Sequence, residues 1–132
     1  MSVINDVFTA VVGLMNTASR TVSIGALPPD NGFAAYISGG SPDSTFIDKE
    51  FAYEILVSLE AKNVSQKAAS DALNDIHQSL TQAREYPETS TYQITNVETV
   101  TTPYYVGREQ NSQHIYGSTL RIKFYYKKGT IE

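Results

Sequence analysis

The order of apolar and polar positions divides the chain into segments of two periodicities. In the run VINDVFTAVVGLMNTA, Ile4, Val7, Phe8, Val11, Leu14 and Met15 recur at spacings of three and four, the mark of an amphipathic helix, with Ser2 placed to cap it. From Arg20 the period falls to two. Val22, Ile24 and Ala26 alternate with Thr21, Ser23 and Gly25, which predicts a half-buried strand. In the following LPPDNG, two prolines fit neither a helix interior nor a central strand, and Asn31-Gly32 favours positive φ, so the chain is expected to reverse direction there. Phe33, Ala35 and Ile37 form a second strand, and Gly39 to Ser44 reads as a loop. A third strand, expected from Phe46 to Lys62, puts Phe51, Tyr53, Ile55, Val57 and Leu59 on one face. Ala52, Glu54, Ser58 and Glu60 take the other, and Leu56 is the exception. Its length implies a twist or a bulge near Asp48.

Asn63-Val64-Ser65-Gln66 has the form of a capping box, with Asn63 accepting from the third helical amide and Gln66 reaching back. The helix it opens carries one apolar stripe, Ala69, Ala72, Leu73, Ile76, Leu80 and Ala83, down to Arg84. It ends before Tyr86-Pro87, because the residue preceding proline avoids the helical region. Tyr92, Ile94, Val97 and Val100 lead into TTPYYV and a polar loop, GREQNSQ. In the final strand Tyr116, Leu120, Ile122, Phe124 and Tyr126 alternate with Gly117, Thr119, Arg121, Lys123 and Tyr125, giving a buried face and a basic, aromatic one. The order α-β-β-β-α-β-β predicts an α+β fold, a largely antiparallel sheet of about five strands with two helices packed on one face, in a single domain spanning 1–132.

Composition narrows the function classes. The 132 residues are 41% hydrophobic, enough for one core, and 18% charged, below the usual share of about 25%; a surface poor in charge is often one that meets other protein. A net charge of −4 argues against general binding to nucleic acid, which rests on neutralising phosphates. The absence of cysteine excludes disulfides, thiol nucleophiles, thiolate zinc sites and iron–sulfur clusters. The N-terminal run lacks a basic start, contains Asp6 and is too short to span a bilayer, so neither export nor membrane insertion is expected; synthesis or assembly in the cytosol is.

Candidate chemistry is sparse. His77 and His114 stand in no metal-binding spacing; His77 reads as a partly exposed helix residue and His114 as a surface residue at a hairpin base. A hydrolase would need one of them beside a carboxylate in a pocket. Asp43, Asp48, Glu50 and Glu54 invite a cation site, but they do not match a calcium loop, and a solvated charged face beside Lys49 is the default. Nucleophile-elbow, phosphate-loop and dinucleotide motifs are missing, and Gly39-Gly40 is not set between a strand and a helix.

Tyrosine and charge are unevenly placed. Seven of nine tyrosines fall from Tyr86 onward: Tyr86, Tyr92, Tyr104, Tyr105, Tyr116, Tyr125 and Tyr126. From Thr102 onward five basic residues face two acidic ones, a local +3, against −7 before it. Tyrosine and arginine are enriched at interfaces, and opposite poles suit head-to-tail contact around a ring; equally, strands favour tyrosine and exposed edges carry lysine against aggregation.

The ordered pattern resembles the tail terminators and minor capsid (tail completion, head-tail joining) proteins of long-tailed bacteriophages and prophages. The resemblance covers nearly the whole chain: LPPDNG, the long FIDKEFAYEILVSLEAKN strand, SQKAASDALNDIHQSLTQ, and ITNVETVTTPYYVGREQNSQHIYGSTLRIKFYYKK. It implies a non-enzymatic subunit without cofactors that forms a homo-oligomeric ring, usually a hexamer, on the tail tube. Its partners would be further copies of itself, the major tail-tube protein and neck or head-completion proteins, at the head-tail junction of the virion, after assembly in the host cytoplasm. DNA would pass through the opening without sequence-specific contact, and no membrane is involved. On that basis Tyr104, Tyr105 and Arg108, with Tyr125, are the expected interface anchors, and Arg121 and Lys123 the steering charges. The alternatives are another head-tail connector, a tail-tube subunit, or a small-ligand binding α+β module with an apolar pocket under the second helix.

Overall fold

A computed structural model describes residues 3–16, 20–28, 31–45, 50–109 and 112–127. Helix α1 (Val3–Met15) buries Val7, Phe8, Val11, Val12 and Met15, while Ile4 and Leu14 flank the stripe and stay exposed. The expected Ser2 cap lies outside the described residues.

Strand β1 (Val22–Ile24) is shorter than its alternation suggested and pairs in parallel with β2 (Gly32–Thr45), Val22 opposite Phe33 and Ile24 opposite Ala35. The expected reversal at LPPDNG is therefore a return to the start of a parallel neighbour. Such crossovers usually need a dozen or more residues, but a three-residue strand rises only about 10 Å, within reach of the short connection here. Gly25, at φ 101°, begins the return, and its amide donates to the Ala35 carbonyl at 2.9 Å.

Two further boundaries differ from expectation. The Gly39–Ser44 stretch is strand, not loop: β2 continues to Thr45 through register shifts at Ile37/Gly39 and Pro42/Ser44, on an edge where proline is tolerated. β3 (Glu50–Asn63) starts after the expected Phe46, and the bulge placed near Asp48 falls outside the described residues. Asn63 ends β3 opposite His114, so it accepts from the Ser65 amide and Ser65 becomes the cap of α2 (Gln66–Thr81), its side chain accepting from Ala68 N. The helix stops short of Arg84. Its Gln78 carbonyl takes the Gln82 amide, and the Tyr86 hydroxyl donates to the Leu80 carbonyl at 2.7 Å.

Strands β4 (Tyr92–Arg108) and β5 (His114–Lys127) form a long hairpin, and the sheet order is β1-β2-β3-β5-β4. The fold is α+β as expected, with a mixed sheet because its first edge is parallel. One continuous core joins α1 and α2 to Ile55, Val57, Leu59 and Ala61 of β3, Leu120, Ile122 and Phe124 of β5, and Ile94 and Val97 of β4. Both described helices pack on this core face, and among the described residues no helix covers the other face of the sheet.

Gly40 and Gly13 give opposite expectations for alanine. A Cβ at Gly40 would stand 2.7 Å from the Glu54 carbonyl oxygen, whereas one at Gly13 in α1 meets nothing within 4 Å. Gly40→Ala is expected to cost about 1–3 kcal/mol through overpacking, and Gly13→Ala to gain about 0.5–1 kcal/mol of helix stability, both measured by urea unfolding.

Candidate assembly interface

The second edge of the sheet is the long strand β4. Its first part is covered by the preceding segment, with Ile94 N donating to the Pro87 carbonyl and Thr89 N to the Tyr92 carbonyl. Beyond Val97 it is open. The ladder to β5 shifts at Thr99/Thr101, Thr101/Tyr104 and Tyr105/Gly107, and Pro103 removes a donor. Bulges and proline discourage indiscriminate edge pairing, and they re-aim side chains. The result is an exposed apolar arm: Val100, then Tyr104 at 51%, Tyr105 at 47% and Val106 at 52% exposure.

The arm presents its residues on both faces of the sheet. Tyr104 and Val106 lie over Gly117 on the helix-free face, where an added Cβ would come within 3.2 Å of the Tyr104 ring and 3.3 Å of Val106. Tyr105 lies on the helix side, edge-on to Tyr116 with ring centres 5.4 Å apart, its hydroxyl 3.2 Å from His114 Nδ1. Arg108 stands opposite His114 at the tip, exposed, with no ion pair among the described residues. Tyr125 is half-buried opposite Gln93 and Ala52, about 27 Å along β5 from Gly117. Of the sequence candidates, then, Tyr104, Arg121, Lys123 and Tyr125 share the helix-free face, and Tyr105 and Arg108 group on the other.

That face is charge-balanced, not basic. Arg121 Nε lies 2.7 Å from Glu54 Oε2, a charge contact not aligned as a hydrogen bond, and Arg121 Nη1 lies 3.2 Å from Glu98 Oε1. Lys123 Nζ is 3.8 Å from Glu98 Oε2, which also accepts from Asn96 Nδ2. The strand register brings acids from two distant parts of the chain beside the two bases. Arg121 and Lys123 are thus tied across strands, each pair worth about 0.2–1 kcal/mol.

A clasp stabilises the tip from the opposite corner. Lys62, only 6% exposed, pairs with Glu109 at 2.9 Å and donates to the Pro28 carbonyl at 2.9 Å, and Asn31 N donates to Gln113 Oε1. The β1–β2 connection is thereby tied to the end of the β4–β5 hairpin.

His77 is buried, at 5% exposure, and not partly exposed as expected. It lies four residues after Leu73 and three before Leu80, so helical spacing alone aims it at the sheet. Its Nε2 is 2.8 Å from Ser118 Oγ and its Nδ1 2.9 Å from Thr99 Oγ1, while Ser118 Oγ donates to the Leu59 carbonyl at 3.1 Å. With the serine proton given to that carbonyl, Nε2–H donates to Ser118 Oγ, and in the neutral ring Nδ1 accepts from the Thr99 hydroxyl. Burial holds its pKa below the ordinary histidine value. The serine is a buried acceptor from the ring, the reverse of an activated nucleophile, and no carboxylate contributes to the ring's titration. A polar cleft of about 300 Å³ opens beside it, lined by Asn74, Gln78, Thr81 and Gln82 of α2 and by Thr99, Thr102 and Pro103 of β4.

The apolar underside of α2 is filled by Ala69, Leu73, Ile76 and Leu80 packed on the sheet. An apolar notch of about 270 Å³ lies instead at the margin, between Ile4, Ile37, Gly39, Gly40, Tyr53 and Ile55. Among the described residues no three His, Asp or Glu side chains are grouped to hold a metal; Asp48 and the side chains of Asp43 and Glu50 lie outside that description. No described helix is long and apolar enough to cross a membrane.

Ser118→Ala removes both the acceptor for His77 and the donor to Leu59 from a buried site. It is expected to cost about 1–3 kcal/mol in urea unfolding, with the oligomeric state unchanged.

No protein-family model matches the chain, and none of the curated proteins matches it. Among solved structures, a chain of the virion of a native gene transfer agent particle is similar, with a TM-score of 0.51 and 14% sequence identity. The match covers 86% of this chain and 83% of that one, so the two share a fold over most of their lengths.

Proposed function

We propose that the chain is a structural protein of a phage-like particle, acting as a tail terminator that forms a ring, hexameric in the simplest case, on the end of the tail tube and joins tail to head. The observation that carries this reading is the shared fold with a chain of a gene transfer agent virion. The exposed Tyr104–Val106 arm supports it, because a contiguous apolar edge on a charge-poor surface is suited to permanent contact with protein. A heterologous contact, in which the arm meets a different surface of the next copy, closes into a ring when the rotation permits. The mechanism is geometric and needs no cofactor. One side of the ring complements the last ring of tube protein and the other the neck or head-completion proteins, while DNA passes through the opening. In this reading Tyr104 and Tyr105 anchor the contact and Arg108 and Tyr125 extend it, Arg121 and Lys123 setting the charge pattern beside Tyr104. The particle's head-tail junction is the site of action, reached by assembly in the host cytoplasm. A head-tail connector or tube subunit would share the same fold likeness and differ in what it stops or extends.

Native mass spectrometry and light scattering are expected to give ring-sized multiples of the 14.5 kDa chain, alone or with tail-tube protein. Added to polymerising tube protein, the chain is expected to arrest growth, which a tube subunit would not do. Tyr104→Ala with Tyr105→Ala should weaken assembly by about 30-fold or more, the effect of losing a hot spot worth ~2 kcal/mol, without unfolding the subunit. A strict monomer at every concentration, with and without tube protein, overturns the ring.

A further inference from the structure

The two margins of the sheet are unlike, and each carries apolar surface that the fold leaves uncovered. Apart from Val64 at the start of α2, the exposed large apolar side chains among the described residues are those of the β4 arm on one side and Ile4, Leu14, Ile24 and Tyr36 of α1, β1 and β2 on the other. The described residues of β3 and β5, between them, show none.

The first margin also holds the apolar notch. Gly40 keeps it open: a Cβ there would stand 3.2 Å from Ile55 Cα and Cγ2, so a side chain at this position would fill the floor. Of the lining side chains, Ile4 is the exposed apolar one, and Tyr53 is steadied by stacking on Phe124 with ring centres 6.0 Å apart. At about 270 Å³ the notch is smaller than the ~300–1,000 Å³ of small-molecule sites, a size suited to one or two anchoring side chains.

The arm does not reach the notch of its own chain. Tyr104 is level with Gly117, Glu60 and Ala34 across the sheet, and Gly40 with Ile55, Ile122 and Val97. Arm and notch therefore lie on opposite margins, and Gly117 and Ile122 set them five residues, about 17 Å, apart along the strands.

Charge distinguishes the margins as well. Residues 1–50, which supply α1, β1, β2 and the run into β3, carry five acids and two bases, and Asp43, Asp48 and Glu50 stand in the stretch that joins the two strands lining the notch. The β4–β5 hairpin, residues 92–127, carries four bases and two acids. Arg121 and Lys123 are engaged by Glu54 and Glu98, which leaves Arg108, two residues past Val106, as the exposed base at the arm with no ion pair among the described residues.

We infer that the Tyr104–Val106 arm of one copy docks in the Ile4–Gly40–Tyr53 notch of the next, with Arg108 set toward the acidic margin. The docking rests on the assembly reading and names the surface that the arm meets. Arm against arm would pair two Arg108 side chains, leave the notch empty and close at a dimer. Arm into notch joins unlike surfaces of opposite charge, and such a contact repeats from copy to copy until the ring closes. A half-exposed tyrosine entering a preformed apolar recess is also the usual form of an interface anchor.

The chain has no cysteine, so introduced thiols report the contact without background. Ile4→Cys and Val106→Cys leave both tyrosines in place. Combined in one chain and treated with a short bismaleimide in the assembled state, they are expected to give covalent multiples up to the full ring, while either single variant stays unlinked. Linked dimers from Val106→Cys alone mark arm-to-arm contact and overturn the docking, as does linkage confined to single chains. Independently, Ile4→Ala and Tyr104→Ala should each weaken assembly about fivefold or more, with urea unfolding of the subunit unchanged. Together they should weaken it by less than the product, since both remove one contact; effects that simply multiply overturn the docking. A strict monomer, with and without tube protein, removes the ring and this contact together, whereas a ring that shows neither linkage nor coupling overturns the docking and leaves the ring standing.

Discussion

Everything else in this subunit leans on the pairing of β3 with β5. That ladder runs without a register shift from Glu50 opposite Lys127 to Asn63 opposite His114, and one face of it carries Ile55, Val57 and Leu59 beside Leu120, Ile122 and Phe124 under α2. Both strands are central, so their backbone groups are paired on either side and their apolar face is covered. Irregularity is confined to the outer strands. β2 shifts register twice and β4 four times, and the exposed aromatic arm grows out of the β4 shifts. A rigid centre lets the margins carry features that would weaken an isolated strand.

Much of this was legible in the chain because the central elements bury one face only. Period two in β3 and β5 and the three-and-four spacing of α1 and α2 follow directly from that one-sided burial. What the pattern missed depends on residues far apart in sequence. The parallel edge at β1 is decided by the length of a return loop, and the strand through Gly39, Gly40 and Pro42 by a neighbour that tolerates bulges. The capping residue moved from Asn63 to Ser65 because Asn63 is still held in the sheet.

The candidate surface divides in the same way. Tyr104 and Tyr105 are both exposed, and the bulges place the two rings on opposite faces, which composition could not show. The apparent basic end is neutralised at Arg121 and Lys123 by Glu54 and Glu98, whose positions only register reveals. His77 carried a usable signal in its place on the apolar stripe, and its polarity hid it; its partners Thr99 and Ser118 come from strands that no local pattern connects to the helix.

The order of strands in the sheet has a further consequence for how the subunit is made. β3 pairs with β2 through a local hairpin, but its other neighbour, β5, lies more than sixty residues later, with Ile55 facing Ile122. Until the β4–β5 hairpin arrives, the growing chain holds the three-stranded β1-β2-β3 part of the sheet with the long β3 edge bare. Contacts so distant in sequence form slowly, and a bare apolar edge is where nascent chains stick to one another. α2, next in the chain after β3, can shield the apolar face during that wait, though not the edge. Subunits crowded together during synthesis therefore depend on how fast the final hairpin docks, and variants that slow β4–β5 closure would lower yield without lowering the stability of the finished fold.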